Sequence, residues 1–205
     1  MVETIDNLIQ IAVLVACTAI AVHRALKYDS RDWTLAALFF ANFALDDLYL
    51  VLCIQTGVES QVLPVVSELS WYAAFIFLYF LVRQAAPPVV VREKRLLPWL
   101  GVVFAGGMAV FFMQWGSYVS NAIYGVLIGL VLFTVLRRLL DYQYYRKQLF
   151  LCICALVFCL LEYTLWVISC YYAGDEMTNP YYLVDLLITA GFPLFLIGTK
   201  KAVQA

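Results

Sequence analysis

Basic side chains are missing from half of this chain's turns, and several familiar chemistries are missing altogether. Histidine occurs once, at His23, so no His-rich set exists for a catalytic zinc. Neither a GxSxG turn nor a Walker-type phosphate loop is present. No lysine lies inside the last apolar run, which excludes a retinal Schiff base in its usual position; Lys200 falls at the edge of that run. The six cysteines show no metal-binding spacing. Cys152, Cys154 and Cys159 read as packing residues, whereas Cys53 and Cys170 share a depth that is compatible with a disulfide. Charge is also scarce: 13% of residues are charged and 65% hydrophobic. Soluble domains have about 25% and about 45–50%. The net charge of −1 says little, because it averages a basic face and an acidic one; no nucleic-acid partner is expected.

What is there is apolar sequence in long runs. Seven can be read, at 5–26, 33–54, 63–82, 97–115, 119–136, 149–171 and 181–197. Each is about 17–23 residues, enough for a helix to cross a hydrocarbon layer of ~30 Å. All 13 Lys and Arg residues fall on one side of the resulting drawing. Arg24, Lys27 and Arg31 lie at the first turn, and Arg83, Arg92, Lys94 and Arg95 at the third. Arg137, Arg138, Arg146 and Lys147 lie at the fifth, with Lys200 and Lys201 after the last run. The positive-inside rule then predicts an all-α membrane protein of seven transmembrane helices, N-terminus out and C-terminus in, in the cell membrane. Glu3 and Asp6 stand where a secretory leader carries basic residues, so no cleavable leader is expected.

Acidic residues make the chain specific. Asp46 and Asp47 lie in the second predicted span, Glu68 in the third, Glu162 in the sixth and Asp185 in the seventh. An ionisable residue at mid-span costs roughly 2.5–3.5 kcal/mol on insertion scales, so each demands a reason. At ~1.5 Å per residue their depths below the outer helix ends are about 11–12 Å for Asp46 and Asp47, about 8 Å for Glu68, about 13 Å for Glu162 and about 7 Å for Asp185. All five belong to the outer half, where the sequence supplies no basic residue. Two carboxylates ~8 Å apart repel by around 2 kcal/mol at an effective dielectric of about 20. Protons or a cation must therefore offset the charge. Glu68 and Asp185, near span ends, could instead bend toward the interface, and Asp46 or Asp47 could cap a neighbouring helix.

Helical spacing sets aromatic residues beside these acids. Asn42, Asp46, Tyr49 and Cys53 share one predicted face; Glu68, Trp71, Tyr72, Phe75 and Tyr79 share another. Glu162, Trp166 and Ser169 form a third stripe, and Tyr181, Asp185, Thr189 and Phe192 a fourth. Such stripes serve either as packing or as the wall of a ligand cavity. The ligand reading assigns Asp46, Asp47, Glu68, Trp71, Tyr72, Glu162, Trp166 and Asp185 to a binding site. Gly125 and Gly129 form a GxxxG in the fifth span, Gly101, Gly106 and Gly107 thin the fourth, and these read as packing. Pro193 is expected to kink the seventh near Thr189.

The two halves echo one another. An outgoing span with an acid (Asp47, Glu162) is followed by a loop without Lys or Arg, then by a returning span with a proline (Pro64, Pro180) and a second acid (Glu68, Asp185). The single domain 1–205 thus divides into half-repeats 5–82 and 119–197 joined by span 97–115, a 3+1+3 plan with parallel repeats. This plan and the N-out, C-in orientation resemble those of SWEET-type sugar transporters. Their proline-glutamine signature is absent, so the likeness is architectural and carries no residue over.

Three functions are compatible with these features. The first is a small transporter whose outward-facing acidic and aromatic cavity binds a cation or an organic amine, or couples protons to a solute. The second is a seven-helix sensor or partner-binding subunit that reads an external ligand. Its segment Tyr142-Gln143-Tyr144-Tyr145-Arg146-Lys147 would dock a cytoplasmic protein or anchor at lipid headgroups. The third is an intramembrane enzyme using Asp and Glu. The sequence leaves the cofactor open; were a metal held, oxygen ligands would favour Ca²⁺, Mg²⁺, Mn²⁺ or Na⁺.

Overall fold

The structure, a computed structural model, describes residues 2–56, 62–84, 96–141, 143–172, 174, 176 and 178–203. Among them are seven helices and no strand: α1 Val2–Tyr28, α2 Arg31–Thr56, α3 Val62–Gln84, α4 Leu97–Phe112, α5 Tyr118–Leu140, α6 Leu149–Tyr171 and α7 Pro180–Val203. Six are long and apolar enough to cross a membrane, as in a multi-pass integral membrane protein. The exception is α4, whose 16 residues rise about 24 Å, short of a ~30 Å core. Its predicted extension to Trp115 does not form. Beyond Met113 the Gln114 and Trp115 amides bond only three residues back, to Phe111 and Phe112, and Ser117 caps α5 by accepting from the Ser120 amide.

Six helices close a ring in the order α1, α2, α3, α5, α6, α7, with α7 returning to α1; α2 also touches α7 and α3 touches α6 across it. Outside the ring, α4 packs on α5. Side-chain size decides that contact. A Cβ on Gly125 would stand 2.7 Å from Ala109 Cβ, and one on Gly101 would stand 2.8 Å from Leu132 Cβ. Gly106 and Gly107 meet nothing within 4 Å, so only part of the glycine content serves close approach. Between α6 and α7, Gly198 brings α7 onto the backbone of Leu151.

The centre is phenylalanine. Phe39, Phe40 and Phe43 of α2 meet Phe158 of α6 and Phe192 and Phe195 of α7, and Phe75 of α3 joins them through Phe158, all buried. Phe43 and Phe192 have ring centroids 5.3 Å apart, and Phe75 stacks on Phe158 at 5.6 Å. Apolar burial does little to drive helices together in lipid, so such dispersion and edge-to-face contacts, about 0.5–1.5 kcal/mol per pair, hold the ring closed. All six cysteines are free, including Cys53 and Cys170, which form no disulfide. Although Pro193 lies within it, α7 continues as a single helix.

Candidate functional site

At the end of the ring carrying the N-terminus and the α2–α3 and α6–α7 connections lies a cavity of about 280 Å³. Every helix of the ring lines it, α4 alone being excluded. Of the residues expected from sequence, Asp46, Asp47, Glu68, Trp71, Glu162, Trp166 and Asp185 stand in its wall. Tyr72 does not. It sits behind the wall against Tyr124, ring centroids 5.0 Å apart, with its hydroxyl 3.4 Å from a Glu68 oxygen.

The acids differ in their surroundings. Asp47, Glu162 and Asp185 are buried, whereas Asp46 and Glu68 are half-buried. The hydroxyl of Ser67 donates to Asp46, and that of Ser120 to Glu68 at 3.2 Å. Asp185 receives the Gln10 amide at 3.2 Å, and Asp6 lies within hydrogen-bonding reach of the same carboxyl. Asp47 has electrostatic contact with Asp46, Asp185, Glu162 and Asp6 at once. Its Oδ2 is nevertheless buried without a hydrogen-bond partner, as is Nδ2 of Asn7 in the same wall. Among the described residues no lysine, arginine or histidine lines the cavity.

Aromatic rings complete the wall. Trp71, Tyr124 and Trp166 pack mutually, with Trp71 4.4 Å from Tyr124 and 5.0 Å from Trp166. Tyr181 enters from the first turn of α7, where Asn179 Oδ1 accepts from its amide at 3.0 Å and so fixes the start of the helix. Phe43 is the floor and belongs to the phenylalanine core. Acids thus face a space bounded by π-faces and closed below by hydrocarbon.

Two of the expected faces are corrected. On α2 the buried stripe is Phe40, Phe43, Asp47 and Val51, while Asn42, Tyr49 and Cys53 are only half-buried. Asn42 turns its amide to its own Leu38 carbonyl. Both adjacent acids reach the cavity, but the phenylalanine core turns Asp47 to the buried side and leaves Asp46 half-buried beside Ser67. On α6, Ser169 is exposed and bonds the Trp166 carbonyl, leaving the cavity to Glu162, Leu165 and Trp166. Sequence reasoning also missed α1 and α5. Gln10 and Asn7 are 3% exposed, and Gln10 joins Asp185 and Thr189 of α7. The signal was available: Asp6 and Gln10 are polar residues one turn apart in an apolar run. Tyr124, by contrast, gave none.

Among the described residues no group of three or more His, Cys, Asp or Glu is arranged to hold a metal ion. The carboxyl groups surround a space instead of converging on a point. In the segment 142–147, Tyr142 lies outside the described residues and Tyr145 is buried, its ring centre 5.5 Å from the Arg138 guanidinium. Tyr144, Arg146 and Lys147 remain at the surface. The chain matches no protein-family model, no curated protein and no solved structure.

Proposed function

We infer that this protein is a small membrane carrier whose acidic, aromatic-walled cavity binds an organic ammonium ion bearing at least one N–H. The observation that carries this reading is Asp47: a carboxyl oxygen, buried and unpartnered, in a wall with several other acids and no cation. A desolvated acceptor of this kind is satisfied by a donor that also brings positive charge. The rings of Trp71, Trp166 and Tyr124 favour a cation over a neutral donor, because a π-face attracts positive charge by ~0.5–2 kcal/mol. At about 280 Å³ the space is below the usual ~300–1,000 Å³ of ligand pockets, so the ligand is a small amine.

Orientation follows from charge. Among the described residues, basic side chains stand in the last turns of α1, α3, α5 and α7, opposite the cavity, so the positive-inside rule directs the cavity outward, with seven spans, N-out and C-in, in the cell membrane. A ring built from α1–α3 and α5–α7 with α4 outside it fits the 3+1+3 repeat plan. The phenylalanine floor is then the barrier that opens toward the cytoplasm during transport.

Purified protein in sealed proteoliposomes, given radiolabelled methylamine or putrescine, should accumulate the amine with time. Choline, which lacks an N–H, should bind more weakly. Saturable amine binding without accumulation would make the protein a sensor with the same site. Absence of both binding and uptake for all amines tested would reject the reading.

A further inference from the structure

A second cavity, of about 540 Å³, lies at the far end of the α1–α7 seam, between the end of α1, the start of α2 and the end of α7. Arg24, Asp29, Ser30 and Lys200 line it with Tyr28 and Trp33. We propose that this cavity holds a phosphate oxyanion, supplied by the headgroup of an anionic glycerophospholipid in the leaflet at the basic end.

Depth comes first. Along α1, Arg24 is about 27 Å of helix rise from Asp6, and along α7 Lys200 is about 22 Å from Asp185. Across a ~30 Å hydrocarbon core those positions fall at the phosphate level of the leaflet opposite the acidic cavity. Basic pockets between transmembrane helices on the cytoplasmic side are suited to lipid headgroups.

Preorganisation is the second point. The Arg24 guanidinium lies 4.6 Å over the Trp33 ring, and Trp33 is 2% exposed, so the ring holds the cation in place. A guanidinium fixed in this way loses little freedom on pairing with phosphate and presents a planar fork of donors. Lys200 reaches the same space from α7, whereas its neighbour Lys201 sits 4.5 Å over the Phe150 ring. Two cations from helices at opposite ends of the chain thus converge where a single-helix snorkelling residue would supply one.

The start of α2 adds to this. Ser30 lines the cavity, and the first amides of α2 have no carbonyl within their own helix, so their dipoles favour an anion there. Asp29 opposes it. Its carboxylate shares the cavity, and its left-handed backbone, φ 45°, holds it at the turn. Charge on Asp29 therefore weakens phosphate binding, which gives the site a variant with the opposite sign.

The test is a titration of delipidated protein in detergent with short-chain phosphatidylglycerol, followed by native mass spectrometry and tryptophan fluorescence. Inorganic phosphate and short-chain diacylglycerol are titrated in parallel. Wild type should bind one phosphatidylglycerol saturably, and the neutral diacylglycerol should not compete. Arg24→Gln with Lys200→Gln should weaken binding by about tenfold or more, equivalent to ~1.4 kcal/mol. Asp29→Asn should tighten it, and asparagine tolerates the left-handed backbone, so this arm does not depend on a destabilised variant. Inorganic phosphate binding as tightly as the lipid would keep the oxyanion site and assign it to a soluble ligand. Equal binding by wild type and the double variant, unchanged binding by Asp29→Asn, or displacement by diacylglycerol would overturn the site.

Discussion

Gln10 of α1 donates from one side-chain amide to both Asp185 Oδ1, at 3.2 Å, and Thr189 Oγ1, at 3.0 Å, on α7. Residues near the two ends of the chain thereby close the helical ring beside the acidic cavity. Gln10→Leu removes both bonds and leaves a buried carboxyl short of a donor, which costs about 1–3 kcal/mol. The expected outcome is a lower melting temperature in detergent, with Gln10→Glu worse than Gln10→Leu because it adds a further carboxyl beside Asp185 and Asp6. A melting temperature unchanged in both variants would show that the α1–α7 seam is held by other contacts.

Asp47 and Glu162 are the acids for which a change of charge should matter most. Asp47→Asn and Glu162→Gln keep side-chain shape and remove a charge that is costly to bury, so both should insert and fold. Amine binding or uptake should fall about tenfold or more, corresponding to ~1.4 kcal/mol. Asp175→Asn, outside the described residues, is the comparison and should retain activity. Full activity in Glu162→Gln with normal insertion would remove that residue from the mechanism; failure to insert would make its role structural.

The α4–α5 contact depends on the absence of a side chain at one position. Gly125→Ala places a Cβ 2.7 Å from Ala109 Cβ and 3.3 Å from the Ala105 carbonyl oxygen. Backbone must shift, at roughly 1–3 kcal/mol. Gly107→Ala meets nothing within 4 Å and should be neutral or slightly stabilising, since alanine favours helix over glycine by ~1 kcal/mol. Thermal unfolding of the pair decides it: equal melting temperatures would mean that α4 is free to move away.

Topology can be read by labelling. Because six thiols are free, the background must first lack cysteine. Cysteine at Thr56 or Thr178, both exposed and at the cavity end, should react with an impermeant maleimide in intact cells. Cysteine at Ala205 should react only after permeabilisation. External labelling at position 205 would reverse the proposed orientation.

Composition and charge order were sufficient for the membrane class. Long apolar runs can only bury their backbone polar groups as helices in lipid, and the acids announced themselves by their cost. The 3.6-residue period also placed Asp185, Thr189 and Phe192 on one buried face of α7, as found. Period alone could not choose between Asp46 and Asp47. That choice came from Phe39, Phe40 and Phe43 packing across the ring on α6 and α7, which turns Asp47 to the buried side of α2. Nor could a single-chain pattern bring Gln10 to Asp185 or Tyr124 to Trp71, because nothing local encodes which helices become neighbours. The class and the acids are local properties, carried by each segment's own hydropathy. The cavity is a property of the closed ring, and only helix packing decides which side chains share it.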